Sequence, residues 1–198
     1  DQKLFGRAAV RSMVFAPYVI AGAAIGVAFQ FVFDPNYGLI QYFLGLIGVD
    51  VPNFYQQQNW ALFMITVTYI WKNLGYAFVI YLAALQGVPP ELHEAAAIDG
   101  ASAFTRFRTI TVPLLGPANL FLLVWLTINA LQLFDEVYAT TRGGPLRATT
   151  VIVYYLWDQA FVHFDAGYAA AMAYALFVVI LIVTAVQFRL ARRFAHHP

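Results

Sequence analysis

Several residues have the type and spacing to do chemistry. Lys72 interrupts one long apolar run, and Asp135 and Glu136 lie at the end of another. An ammonium inside an apolar run needs a counter-charge or an aqueous cavity. Asp135 or Glu136 supplies the first, and snorkelling of the lysine to an interface is the alternative. His93-Glu94-Ala95-Ala96-Ala97 opens like a zinc-protease helix, but Ala97 stands where the second histidine must be, so no metal site follows. His163 has no ligand-like neighbours and reads as a surface or interface residue. Serines and threonines are scattered without a His/Asp constellation, which leaves nucleophilic catalysis unsupported. No glycine-rich loop ends in Gly-Lys-Ser/Thr, so the chain does not bind ATP by that route. The absence of cysteine excludes disulfides, thiolate catalysis and Cys-based metal centres. What survives is non-catalytic: polar residues inside apolar helices.

Two such sets stand out. Trp71, Gly75 and Phe78 recur at helical spacing, so they share a face on which Gly75 leaves a hollow between aromatic walls. Asn129, Gln132 and Glu136 likewise fall on one helical face. A polar stripe in a membrane helix meets either another helix or water. Each set therefore has two readings, a wall of a solute path or helix–helix packing.

The elements that must carry these residues follow from composition. Hydrophobic residues make up 62% of the 198 positions and charged residues 11%, far from soluble norms of roughly 45–50% and 25%. So much apolar side chain exceeds what a soluble interior of this size can hide, and the surplus must face lipid. Four stretches qualify as spanning helices of about 20 residues: 12–33 with Pro17 and the small cluster Ala21–Ala24, 60–85, 117–137 and 169–190. The predicted fold class is all-α, a polytopic transmembrane helical protein. No basic stripe exists for nucleic acid.

Lys and Arg placement sets the orientation. Lys3, Arg7, Arg11, Arg106, Arg108, Arg189, Arg192 and Arg193 fall on one side if all four stretches span, and only Arg142 and Arg147 on the other. The first side is cytoplasmic, which places both ends of the chain on the cytoplasmic side of a cell (inner or plasma) membrane. On the outer side, Asp34-Pro35-Asn36-Tyr37-Gly38 is a turn cluster, residues 39–44 suit a short interfacial helix, and Gly143-Gly144-Pro145 makes a rigid reversal before an aromatic helix within 151–164.

On the inner side the chain forms a polar, small-residue island. Pro90 suits a first helical position, Glu91 and Glu94 favour the positive end, and three alanines make the helix slim. Gly100 ends it in a left-handed conformation. Ser102 caps a second short helix over 103–110, and Val112-Pro113 leads into the next span. Two angled helices on the cytoplasmic face can dock a partner, with Glu94 as an anchor and Arg106 and Arg108 meeting acidic groups or lipid phosphates. An ordinary helical loop is the other reading.

Glu94, Ala95, Ala96, Gly100, Ile110 and Pro113, with Asp99 between them, resemble the EAA signature of ABC-importer permeases; Val112 replaces the usual leucine. Val88–Leu92, Ala97–Ala101, Thr141–Pro145 and Phe164–Ala169 further resemble the carbohydrate-uptake branch of type I importers, which includes maltose-type and glycerol-3-phosphate-type permeases. Phe15-Ala16-Pro17-Tyr18-Val19 resembles the start of that branch's third helix. The resemblance implies a single permease domain over 1–198, with 87–113 as its cytoplasmic coupling loop and the first two or so helices of full-length relatives missing. It implies that Glu94, Ala95, Ala96, Asp99, Gly100, Arg106, Ile110 and Pro113 couple to ATPase subunits. It also implies a solute path on the two sets named above, and Gly143, Gly144 and Pro145 facing a binding protein. The expected partners are a second homologous permease, two ATP-binding subunits, an extracytoplasmic solute-binding protein and membrane lipid. No cofactor is expected on this chain; ATP and Mg belong to the partners. The expected cargo is a sugar or glycerol-phosphate-like solute, and the chain itself is not an enzyme. The alternative is an ion-coupled secondary transporter using Lys72 with Asp135 or Glu136.

Overall fold

A computed structural model describes residues 6–50 and 52–194; Lys3 of the charge tally and the terminal His196, His197 and Pro198 lie outside the described residues. Every element among the described residues is helical. Two helices are each long and apolar enough to cross a membrane, and up to four crossings result if each of two bent pairs counts as one.

The first predicted span is one of those bent pairs. Helix α1 (Arg7–Val19) and helix α2 (Gly22–Val32) meet at 100° instead of forming a straight rod over 12–33. Ile20 and Ala21 adopt extended backbone (ψ 138° and 134°), which ends one hydrogen-bond ladder and starts another. Pro17 weakens the last turn before the break by withholding a backbone donor.

After the short helix α3 (Leu39–Leu46), helix α4 (Gln58–Gln86) runs unbroken for 29 residues. At 1.5 Å per residue it measures roughly 43 Å, enough for the hydrocarbon core and both interfaces. Lys72 is its midpoint, with 14 residues on either side (72 − 58 and 86 − 72).

Next come α5 (Pro90–Ile98) and α6 (Ala103–Arg106), then a π-helical turn at Phe107–Thr111 and the single turn α7 (Val112–Leu114). The chain bends by 60° into α8 (Gly116–Leu131). The predicted span to residue 137 stops early: Gln132 and Phe134 leave helical geometry, and α9 (Asp135–Ala139) starts a new direction. Helix α10 (Ile152–Trp157) with a π-helical turn at Asp158–Val162 forms the aromatic segment, and α11 (Ala166–Phe194) is the last long helix. The Asp165 carboxylate accepts from Tyr168 N at 3.0 Å, which satisfies a donor in its first turn.

Long-range contacts tie these pieces together. Helix α1 lies against α4, and α2 against α9, where Gln30 Nε2 donates to the Ala139 carbonyl at 2.6 Å. Gln187 Nε2 on α11 donates to Thr127 Oγ1 on α8 at 2.9 Å. A small core of Phe33, Phe54, Met64, Ile65 and Val137 closes one end. Beside it Tyr55 OH donates to Gln30 O, and burial with the neighbouring Asp34 carboxylate pushes its pKa up to about 12, so the phenol stays protonated near neutrality. Elsewhere large apolar side chains stay exposed, as a lipid-facing or partner-facing surface requires.

Candidate functional site

Both chain breaks open onto the middle of α4, and there they leave a cavity of about 370 Å³. Tyr18 and Ile20 come from the α1 end, Tyr69, Lys72 and Asn73 from α4, and Asn129 with Gln132–Glu136 from the α8–α9 break. An unbroken third span would keep Gln132 and Glu136 on one face of one rod. The break turns α9 back toward α4, so Glu136 Oε1 sits 2.8 Å from Lys72 Nζ. The Glu136 side chain is 4% exposed and that of Lys72 19%, so each charge answers the other's desolvation. Lysine snorkelling is therefore not the arrangement adopted. Gly22, at the start of α2, makes room for the cluster: a Cβ there would lie 2.6 Å from Asp135 Oδ2 and 2.7 Å from Lys72 Nζ.

Amides and aromatic rings complete the wall. Asn73 Nδ2 donates to Tyr69 O at 2.9 Å, and Asn129 Nδ2 to Trp125 O at 2.8 Å. Tyr69 OH donates across to Leu126 O at 2.9 Å and fixes α4 against α8. Tyr18 stacks on Tyr76 with centroids 4.6 Å apart, and Tyr76 lies 5.7 Å from Trp125.

The structure thus brings Asn129, Gln132 and Glu136 to one cavity although a helix break separates them, so the single shared face expected from sequence does not exist. The expected hollow at Gly75 is also absent. A Cβ on Gly75 would overlap the Val14 carbonyl oxygen, because the glycine is where α4 and α1 backbones touch. Trp71 leans on Phe29 at 5.2 Å and Phe78 is exposed; neither lines the cavity. The α4 face that does line it carries Tyr69, Lys72 and Asn73 at i, i+3 and i+4. That spacing was visible around Lys72; Tyr18, next to Pro17 and the break, had no comparable signal.

The loop after α4 has its own geometry. Pro90 starts α5, and Gly100 ends the arm at φ +80°. Ala101 N donates to Ala96 O at 2.9 Å and Gly100 N to Ala97 O at 3.1 Å, the paired bonds of a Schellman cap. Ser102 caps α6, accepting from Thr105 N at 3.2 Å. The second arm is a helical turn that widens into π geometry over Phe107–Thr111. Arg106 does not point at an outside partner: Nη1 donates back to His93 O at 3.3 Å and joins the two arms. Glu94, Ala95, Asp99, Gly100 and Pro113 are exposed, and Ala96 and Ile110 half-buried. Ile98 (87% exposed), Phe104 and Phe107 stand out from the arms as apolar knobs.

Gly143, Gly144 and Pro145 form a knotted turn, with Gly143 at φ +82°. Thr149 Oγ1 donates to Gly144 O at 2.7 Å and Thr150 Oγ1 to Gly143 O at 3.2 Å. The turn edges a second cavity of about 390 Å³ with Arg142, Arg147 and Asp158. His163 pairs with Asp158 at 3.4 Å. Among the described residues no group of three or more His, Cys, Asp or Glu side chains is placed to hold a metal ion.

The fold that holds this cavity and loop has counterparts among known proteins. Residues 2–196 match the family described as binding-protein-dependent transport system inner membrane component. The chain belongs to this family. The chain is 37% identical over 190 residues to the sn-glycerol-3-phosphate transport system permease protein UgpA of Salmonella typhimurium, covering 96% of this chain and 64% of that protein. It is 36% identical over 198 residues to the protein of the same name from Agrobacterium fabrum, of which it covers 67%. It thus spans roughly two-thirds of the length of these relatives. Among solved structures it is similar to a bacterial ABC transporter involved in import of the acidic polysaccharide alginate (TM-score 0.84, 25% identity, 96% of this chain and 68% of that one). It is also similar to the alginate transporter in complex with a periplasmic protein bound to an alginate pentasaccharide (TM-score 0.85, 26% identity, 98% and 69%). Family membership favours the permease reading over the ion-coupled transporter.

Proposed function

We propose that this chain is the membrane-spanning half of an ATP-driven, binding-protein-dependent importer for a sugar or glycerol-phosphate-like solute. The observation that carries the proposal is the placement of two sites on one rod. Lys72, at the midpoint of α4, lines the polar cavity, and the same helix leads directly into the two-armed loop. From Lys72 to Gln86 is 14 residues, roughly 21 Å along the axis.

In this reading the loop from Glu94 to Pro113 lies in the cytoplasm, as do both ends of the chain, in keeping with the Lys/Arg bias. Two ATP-binding subunits hold ATP and Mg and grip the loop, Ile98 and Phe104 filling a groove and Glu94 supplying a charged anchor. The chain performs no chemistry itself. A second homologous permease faces the cavity and closes the path. The Gly143-Gly144-Pro145 turn, on the other side, receives an extracytoplasmic binding protein. Closure of the ATPase pair moves the loops together, and α4 carries that motion to the cavity, which opens outward, accepts solute and returns inward after hydrolysis.

Gln132, Asn129 and Glu136 supply polar groups along the path. Trp71, Gly75 and Phe78 do not line the cavity; Gly75 packs α4 on α1 and Trp71 leans on Phe29, while Phe78 stays exposed.

The test is reconstitution of the complete importer in liposomes. Solute accumulation is expected only with ATP on the loop side and binding protein on the other. Uptake that persists without ATP and follows a proton or sodium gradient would overturn the proposal.

A further inference from the structure

The central cavity has a charge pattern that bears on what passes it. Lys72 is the one cation among the described residues lining it, and Glu136 holds that ammonium at 2.8 Å. Asp135 adds a second carboxylate, exposed to the cavity and without a hydrogen bond among the described residues. A Cβ built on Gly22 would lie 2.6 Å from Asp135 Oδ2 and 2.7 Å from Lys72 Nζ, so the second carboxylate borders the ion pair without itself pairing with the ammonium. The first turn of α2 contributes partial positive charge at this point, which offsets part of the excess. The wall is therefore close to neutral, with a slight negative balance and no free cation.

Its hydrogen-bonding capacity is mixed. Asn73 and Asn129 each spend one Nδ2 hydrogen on their own helix, which leaves each with an Oδ1 acceptor and a second N–H donor. Asp135 offers only acceptors when ionised. Such a wall matches groups that donate and accept together. A hydroxyl does both, whereas a phosphate dianion brings only acceptors and sets its negative charge against Asp135. Tyr18, stacked on Tyr76, presents a ring suited to the C–H face of a sugar.

We infer that the solute is an uncharged polyhydroxy compound, and that the Lys72–Glu136–Asp135 cluster makes this chain's wall of the path reject phosphate esters. The inference rests on the proposed import function and deepens it. It runs against the sn-glycerol-3-phosphate in the names of the 36–37% identical relatives, so the two expectations separate cleanly.

The experiment uses the complete importer in liposomes with ATP. An equimolar mixture of neutral polyols and mono- to trisaccharides, their phosphate esters and their amino derivatives is offered outside, and the contents are read by mass spectrometry. A neutral compound should accumulate, its phosphate ester about tenfold less or lower still. In Glu136→Gln, which releases the ammonium, the phosphorylated share should rise roughly threefold or more. Asp135→Asn removes the exposed charge and should raise it in the same direction, and serves if Glu136→Gln does not fold. Predominant accumulation of a phosphate ester or an amine by the wild-type importer overturns the inference while leaving ATP-driven import intact. An unchanged phosphorylated share in both variants overturns the assignment to this cluster. If nothing accumulates with ATP, the import function falls and this inference with it.

Discussion

The two-armed loop and the central cavity are built from opposite materials. The loop is held by contacts between residues close in sequence: a proline at a helix start, a Schellman pair at Gly100, a serine cap and one arginine reaching back 13 residues. Its outer face is exposed and carries alanines, the carboxylates of Glu94 and Asp99, and the apolar knobs Ile98, Phe104 and Phe107. The cavity is held by contacts across 50 to 110 residues: Tyr69 to Leu126, Lys72 to Glu136, Gln30 to Ala139. Its interior is polar and holds one largely desolvated ion pair. A loop of the first kind moves as a rigid piece when gripped. A cavity of the second kind reshapes when its pieces slide, because few local bonds restrain the breaks at Ile20–Ala21 and Gln132–Phe134. Under the proposed function this difference divides the labour: a stiff handle, a compliant chamber and the unbroken α4 between them.

The comparison breaks most easily at the ion pair. Glu136→Ala leaves Lys72 uncompensated in the low-dielectric middle of the chain and should cost about 3–5 kcal/mol of stability. The double replacement Lys72→Met with Glu136→Leu should recover most of it, since an apolar pair of similar volume removes both desolvation terms. Thermal unfolding of the purified complex in detergent, taken through the double-mutant cycle, reads this. Near-additive losses would contradict the pairing.

Gly75→Ala should rank next. The new methyl overlaps the Val14 carbonyl where α1 and α4 touch, and overpacking of this kind costs about 1–3 kcal/mol. The same measurement checks it, and a stability equal to wild type would restore the hollow that sequence spacing suggested.

Smaller effects belong to the loop. Gly100→Ala forces a side chain into left-handed geometry, at about 1–2 kcal/mol locally. Ser102→Ala removes a cap, at about 1 kcal/mol. Both should leave global unfolding nearly unchanged yet speed amide exchange over residues 90–111, because the loop is not part of the core. Exchange that speeds up equally across the cavity helices would mean that loop and chamber are one cooperative unit.

This contrast also explains what could be read from sequence. The loop's helices, caps and turn were legible because Pro90, Gly100 and Ser102 act on their immediate neighbours. The π-helical widening at Phe107–Thr111 carried no signature. The four apolar stretches were visible, but the breaks were not: Ile20–Ala21 and Gln132–Phe134 contain neither glycine nor proline, and hydropathy runs across both. Without the second break, Glu136 could not be chosen over Asp135 as the partner of Lys72. Which face of α4 meets α1 is a matter of long-range packing, so Gly75 looked like an opening when it is a contact.

The central claim is that the exposed loop transmits ATPase work to the chamber through α4. Glu94→Ala tests it most directly, because Glu94 is exposed, makes no hydrogen bond through its side chain among the described residues and touches no part of the chamber. In the complete importer, assayed for ATP hydrolysis and solute uptake together, the variant should fold normally and lose most uptake and most solute-stimulated hydrolysis. Uptake and hydrolysis both at wild-type level would contradict it.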